Sequence, residues 1–239
     1  MIARELRRAA RAPCGRSLVI ALVLTACGAE SASPEPSAPG LAGPVHRGTL
    51  VREGRSAIPF EFRLPEEGGL VAVDIPAPEG EPNGLFTLAA AESQRLYEGE
   101  WGIMVADVTG ATPHKSSLER AWPPPIAADA AGFLPGLRQA ADIPVRDIGG
   151  TELGGLPAFT AEVGPVVEDR VTWGHIDVRM AGGGVTGSIS FNDPSRLIVA
   201  DAGDSIVLVQ IWARTEAELA GWLPLALEIV DSMRFPGGP

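Results

Sequence analysis

The stretch RLIVADAGDSIVLVQIWA, residues 196–213, limits the fold more than any other part of this 239-residue chain. Two β-branched and aliphatic runs, 196–200 and 205–213, flank a Gly-Asp turn, the signature of a β-hairpin. Successive side chains of a strand point to opposite faces. Val207, Val209 and Ile211 therefore share one face, and Ile206, Leu208 and Trp212 share the other. Both faces are apolar, so this strand needs cover on both sides. It belongs at the centre of a sheet with further layers packed on it.

The same stretch carries a chemical lure. Gly203-Asp204-Ser205 followed by an aliphatic residue is how some serine hydrolases present their nucleophile. Such a serine needs a positioned base, and no histidine follows Ser205; His46, His114 and His175 all precede it. Ser205 also opens a strand rather than a helix. These residues read as a turn.

Further strands are expected at 59–65, 69–76, 84–91, 101–110, 144–150, 155–164 and 171–180, each bounded by turn residues. Three prolines at 123–125 break the chain, and 128–140 reads as a helix capped by Asp129, with Phe133, Leu134 and Leu137 inward. The last segment is the strongest helix. Thr215 and Glu218 form a capping box. Leu219, Trp222, Leu223, Ala226, Ile229, Val230 and Met233 make one buried stripe. Pro224 lies inside that stripe and is expected to kink or restart the helix. The class is α+β, an antiparallel sheet with packed helices.

The N-terminus reads as a targeting segment. Arg4, Arg7, Arg8, Arg11 and Arg16 stand against one acid, Glu5, ahead of the apolar run LVIALVLTA. Nine residues rise only about 14 Å as a helix, short of the roughly 30 Å of bilayer hydrocarbon. The run ends in Leu24-Thr25-Ala26-Cys27, which resembles the lipobox of bacterial lipoproteins. The resemblance implies cleavage before Cys27 and diacylation of its thiol, and two acyl chains make a stable anchor where one does not. Residues 1–26 are then a lipoprotein signal peptide. Residues 27–47 are the lipidated Cys27 with a disordered Pro/Ser/Ala/Gly-rich tether, in or beside which His46 lies. Residues 48–236 make a single globular domain.

Cleavage removes Cys14, so no disulfide, zinc ribbon or thiol nucleophile remains. It also removes five of 19 basic residues and one of 30 acidic ones, leaving 14 against 29 and a net charge of −15. That balance argues against nucleic acid and against flat docking on anionic headgroups.

Other candidate chemistry is thin. Gly182–Gly187 fits G-x-G-x-x-G, but SISFNDP follows it, strand-like residues rather than the helix that phosphate binding needs. Scattered histidines leave no metal set, and no cofactor is implied. One strand, VTWGHIDVRM, places Ile176, Val178 and Met180 on one face and His175, Asp177 and Arg179 on the other. Those three ionisable groups make a candidate stripe for a polar ligand or partner, against the plainer reading of a solvated sheet face. Trp173 and Trp101 are candidate binding aromatics, with core packing as their ordinary fate.

Over roughly residues 130–236, the order FLPGLRQAADIPVRDIGGTELGGLPAFTAEV, paired strands, then VLVQIWARTEAELAGWLPLALEIVDSMRF resembles actinobacterial envelope lipoproteins of the LpqN type and similar PsbP-like domains. The features that match are the helix before GGLPA, the hydrophobic hairpin and the closing helix ending in DSMRF. The resemblance implies a PsbP-like α/β/α sandwich and a binding or accessory role. It offers no shared catalytic motif, so no site residue is carried over. The function expected is a non-enzymatic binding module, lipid-anchored on the extracytoplasmic side of the cell membrane (in the periplasm where there are two membranes). Its partner would be an envelope protein or a small ligand. A second reading is a carrier of a lipid or other amphiphile, which requires an apolar cavity in the sheet. A third is a hydrolase using Ser205.

Overall fold

The computed structural model describes residues 41, 43–50, 57–65, 70–73, 85–90, 101–113, 125–140, 143–166, 174–180 and 186–236. The signal segment 1–26, Cys27 and most of the tether lie outside the described residues, as do His114, Trp173 and residues 182–185 of the glycine string. In chain order the elements are β1 (Val45–Leu50), β2 (Ile58–Arg63), β3 (Leu70–Val73), β4 (Leu85–Ala90), β5 (Trp101–Pro113), α1 (Ala130–Ala140), β6 (Val145–Leu153), β7 (Leu156–Val163), β8 (His175–Met180), β9 (Thr186–Ser190), β10 (Ser195–Asp201), β11 (Ile206–Ala213) and α2 (Glu216–Asp231). All lie in one compact unit, Ala38–Pro239.

The apolar hairpin is β10–β11, and β11 sits in the middle of the sheet order β3-β4-β5-β11-β10-β7-β6, with every neighbour antiparallel. Its two faces feed two separate cores. Val207, Val209 and Ile211 join Phe60, Ile198 and Trp222; Ile206 and Leu208 join Phe133, Leu137 and Val199, with Trp212 packed against them. The expectation of a central strand covered on both sides holds.

The first face is covered by α2 and by a separate two-stranded sheet, β1–β2. The capping box forms as the sequence indicates: the Glu218 amide donates to Thr215 Oγ1 at 3.2 Å, and the Thr215 amide donates to Glu218 Oε2 at 3.0 Å. The helix does not restart at Pro224. Pro224 and Ala220, whose carbonyl loses its donor, both lie on the exposed side, where water can take that carbonyl. Beyond α2 the chain returns to β2. Glu61 and Arg234 exchange two backbone hydrogen bonds at 2.9 Å, and the Arg63 amide donates to Ser232 Oγ at 2.8 Å. Phe60 lies 5.8 Å from Phe62 and 6.3 Å from Phe235, ring to ring.

One boundary moves. β1 begins at Val45, so residues 45–47, assigned above to the tether, are strand, and His46 stacks on Phe62 at 5.5 Å. VHRGTL has no clean alternation of its own. Its order comes from pairing along the whole length of β2, from Val45 opposite Arg63 to Leu50 opposite Ile58.

The second face is covered by α1 together with β8 and β9. Asp129 caps α1 by accepting from the Gly132 amide at 2.7 Å, and Phe133, Leu134 and Leu137 are fully buried. The register of β5 shifts between Val108 and Gly110. Such a bulge bends a strand. Its far half accordingly pairs with β8, which in turn pairs with β9. Ile176, Val178 and Ile189 share a core with Ala106, Val108 and Leu208, so this end of the sheet curls over its own second face. The last two residues of the glycine string, Thr186 being followed by Gly187, are already in β9 and open no helix.

Candidate functional site

Ser205 takes its place in the hairpin turn. Gly203 has φ +83°, which glycine adopts without strain, and the Ala202 amide donates to the Ser205 carbonyl at 2.9 Å. Ser205 is 1% exposed, so nothing in solution reaches its hydroxyl. The turn has a structural task instead: Asp201 Oδ1 accepts from the Ala130 amide at 2.8 Å, giving α1 a second cap.

The ionisable stripe of β8 forms with the period that its sequence sets. Ile176 and Val178 are fully buried, whereas His175 and Asp177 are half-buried and Arg179 is exposed. His175 lies opposite Ser190, and Asp177 lies between Ser188 of β9 and Thr112 of β5. His175 Nε2 approaches Asn192 Nδ2 at 3.5 Å, and Thr109 Oγ1 donates to the Arg179 carbonyl at 3.1 Å. The three residues form one polar band on an outward strand face. Trp101, by contrast, packs on the first core, 4.2 Å from the Trp222 ring, as the core reading expects.

Two clefts add to this. The larger, about 280 Å³, lies where the first turns of α2 meet the ends of β6 and β7, and its walls include Val163, Leu219 and Leu223. Arg146 stands there 3.7 Å from Glu216 and 4.0 Å from Glu162, which holds Arg196 at 3.0 Å. Both signs alternate, and the Arg146 pairs are largely solvated, an arrangement worth little per pair, whereas Arg196 is mostly covered.

The smaller cleft, about 60 Å³, opens on the second face. Its floor is a cross-strand row, Thr87 of β4 opposite Met104 of β5, opposite Gln210 of β11, with Trp212 beside them. The Trp212 ring rests on Gly102, where a Cβ would come within 2.4 Å of it. The opposite wall is Ser188, Ile189 and Ser190 of β9, with Asp193 at the rim. Gln210 Nε2 donates to the Ser190 carbonyl at 2.8 Å and to Ser195 Oγ at 3.0 Å, fastening β9 to the central strand. Thr87 is fully buried, and its Oγ1 has no hydrogen-bond partner. Burial pushes the Asp193 carboxyl above its usual range; Arg214 opposes that shift and Glu218 adds to it. Among the described residues, no group of three His, Cys, Asp or Glu side chains is placed to hold a metal ion.

Sequence alone does not single out Thr87, Asp193 or Gln210, which lie far apart in the chain. The one signal is Gln210 itself, an amide inside IVLVQIWA. A buried amide has to find partners.

No protein-family model matches the chain, and no curated protein matches it by sequence. Among solved structures it is similar to cyanobacterial PsbP (CyanoP) from Synechocystis sp. PCC 6803, at 14% identity and a TM-score of 0.36, over 89% of this chain and 98% of that one. It is also similar to LpqN of Mycobacterium tuberculosis, described as involved in cell envelope biogenesis, at 10% identity and a TM-score of 0.38, over 82% of this chain and 92% of that one. These neighbours are of the two kinds that the C-terminal half resembles by sequence, and the architecture seen here, an antiparallel sheet with a helix packed on each face, is the α+β one expected.

Proposed function

We propose that this chain is a non-catalytic binding module of the bacterial cell envelope, held at the membrane by lipid on Cys27. The anchor rests on the sequence, on the basic, apolar and Leu-Thr-Ala-Cys succession that ends at Cys27. The binding role rests on the outward band of β8. His175, Asp177 and Arg179 stand on a strand whose other face is locked into the core, so the band is presented rigidly. A rigid strand face loses little entropy on association. The burial of Ser205 weighs against the hydrolase reading. The carrier reading has no comparable support among the described residues: side chains fill both sheet faces, charged groups line the larger cleft, and the smaller, at about 60 Å³, has no room for an acyl chain.

Two experiments test this on the full chain in its own envelope. Cys27→Ala should move the protein from the detergent-rich to the aqueous phase on detergent partitioning; retention in the detergent-rich phase would refute the lipid anchor. A photo-crosslinker at Thr112, beside Asp177, should trap one discrete envelope component, and Asp177→Asn combined with Arg179→Gln should abolish that adduct. An adduct indifferent to both changes would remove the β8 band from the function.

A further inference from the structure

We infer that the smaller cleft is a receptor for the primary ammonium group of a small amine. The inference stands apart from the β8 band, because it rests on different residues.

The cleft gathers acceptors that lack donors. Thr87 Oγ1 is fully buried and unpartnered, a state that destabilises a fold unless something fills it. The Asp193 carboxylate at the rim accepts no hydrogen bond from any described residue, although it is half-buried. The third acceptor follows from strand geometry. Ser188, Ile189 and Ser190 all line the cleft, and consecutive strand residues alternate faces, so the cleft meets the edge of β9 rather than one face. Among the described residues, no strand but β8 pairs with β9, so that edge carries no ladder. The Ser190 carbonyl points across it to Gln210, and two residues earlier the Ser188 carbonyl points the same way.

An ammonium group carries three donors and no acceptor, which matches a hydroxyl, a carboxylate and a carbonyl that all accept. The remaining walls suit a cation with a short apolar stem. Trp212 offers an indole held in place on Gly102, and Met104 and Ile189 offer apolar contact. Size is restrictive: about 60 Å³ is roughly two waters' share of liquid volume, room for the last two or three heavy atoms of an alkylamine. A carboxylate ligand would be repelled by Asp193, and a neutral alcohol would gain nothing from its charge, which Arg214 offsets only in part. The net charge of −11 further concentrates cations at the surface. Both an ethanolamine headgroup and a lysine side chain carry this ammonium chemistry.

The test titrates ethylammonium chloride into the full chain at constant ionic strength, with ethanol and sodium acetate as neutral and anionic counterparts. The indole N–H resonance of Trp212, identified through Trp212→Phe, reports on the cleft. Ethylammonium should shift it saturably and bind about tenfold or more tighter than ethanol, as a charge-assisted contact does, while acetate should leave it unmoved. Thr87→Val and Asp193→Asn should each weaken the ethylammonium affinity severalfold. Equal binding of ethanol and ethylammonium would overturn the inference without any variant, and so would full ethylammonium affinity in Asp193→Asn. Ethanolamine and Nα-acetyl-lysine amide then separate the sources: tighter binding of the first supports a headgroup-like ligand, and tighter binding of the second a protein side chain.

Discussion

On one face of the sheet, the 16-residue helix α2 lies over Val207, Val209 and Ile211; on the other, the 11-residue helix α1 shares the cover with β8 and β9. The first cover is one long capped helix beside the β1–β2 pair, with an aromatic pair, Trp101 on Trp222, and a phenylalanine group around Phe60. The second is assembled from a short helix, a bulged strand and a curled pair of strands, and it leaves a seam. Of the five buried polar residues among those described, Thr87, Ser195 and Gln210 gather at that seam. α2 and the β1–β2 pair meet the sheet through apolar side chains. On the second face the edge of β9 reaches the sheet, and a strand edge brings backbone carbonyls and polar partners into the interior. The first face is therefore closed, whereas the second keeps a small cleft.

That contrast can be broken by cutting each cover at its largest ring. Trp222→Ala on the first face and Phe133→Ala on the second should each cost about 3–5 kcal/mol in denaturant unfolding. A second-face loss under about 1 kcal/mol would show that α1 contributes little and that the two covers are not comparable. Helix caps give a finer distinction. Thr215→Ala removes half of a capping box and should cost about 1 kcal/mol. Asp129→Ala should cost less than that, because Asp201 still satisfies the Ala130 amide, and adding Asp201→Ala should recover the larger loss.

The smallest effect lies at the seam. Burial raises the Asp193 pKa in the folded state above its unfolded value, so the folded state binds the proton more readily. Stability from this group is then greatest in acid and falls as pH rises through the folded pKa. Asp193→Asn escapes that penalty. Its melting temperature should exceed that of the parent at neutral pH, and the gap should close on acidification into the ordinary aspartate range. A gap that stays constant from pH 7 to pH 4 would place its cause elsewhere.

Much of this architecture is legible in local sequence. The β10–β11 hairpin, the capping box at Thr215 and Glu218, and the cap at Asp129 all follow from residues within a few positions of each other, and all form as expected. What the sequence hides depends on distant partners. β1 is ordered by β2 rather than by its own pattern, so it passes for tether. α2 runs through Pro224 because of which side faces water, a fact that the apolar stripe suggests but does not settle. The β8 band is legible from its period of two. The small cleft is not, since Thr87, Gln210 and Asp193 meet only through sheet order and the curl of β9. Gln210, one amide among aliphatic neighbours, is the local hint that something must cross to meet it.

The bond from the Ala130 amide to Asp201 spans 71 residues. During synthesis, α1 leaves the ribosome with Asp129 as its cap, while the strands β6, β7 and β10 that it packs against are still to come. Its second cap arrives only when the hairpin tip has been made and closed. Contacts of such long separation form late and slow the approach to the native state. The turn that imitates a catalytic serine motif thus keeps time in assembly, telling the helix that the sheet beneath it is complete.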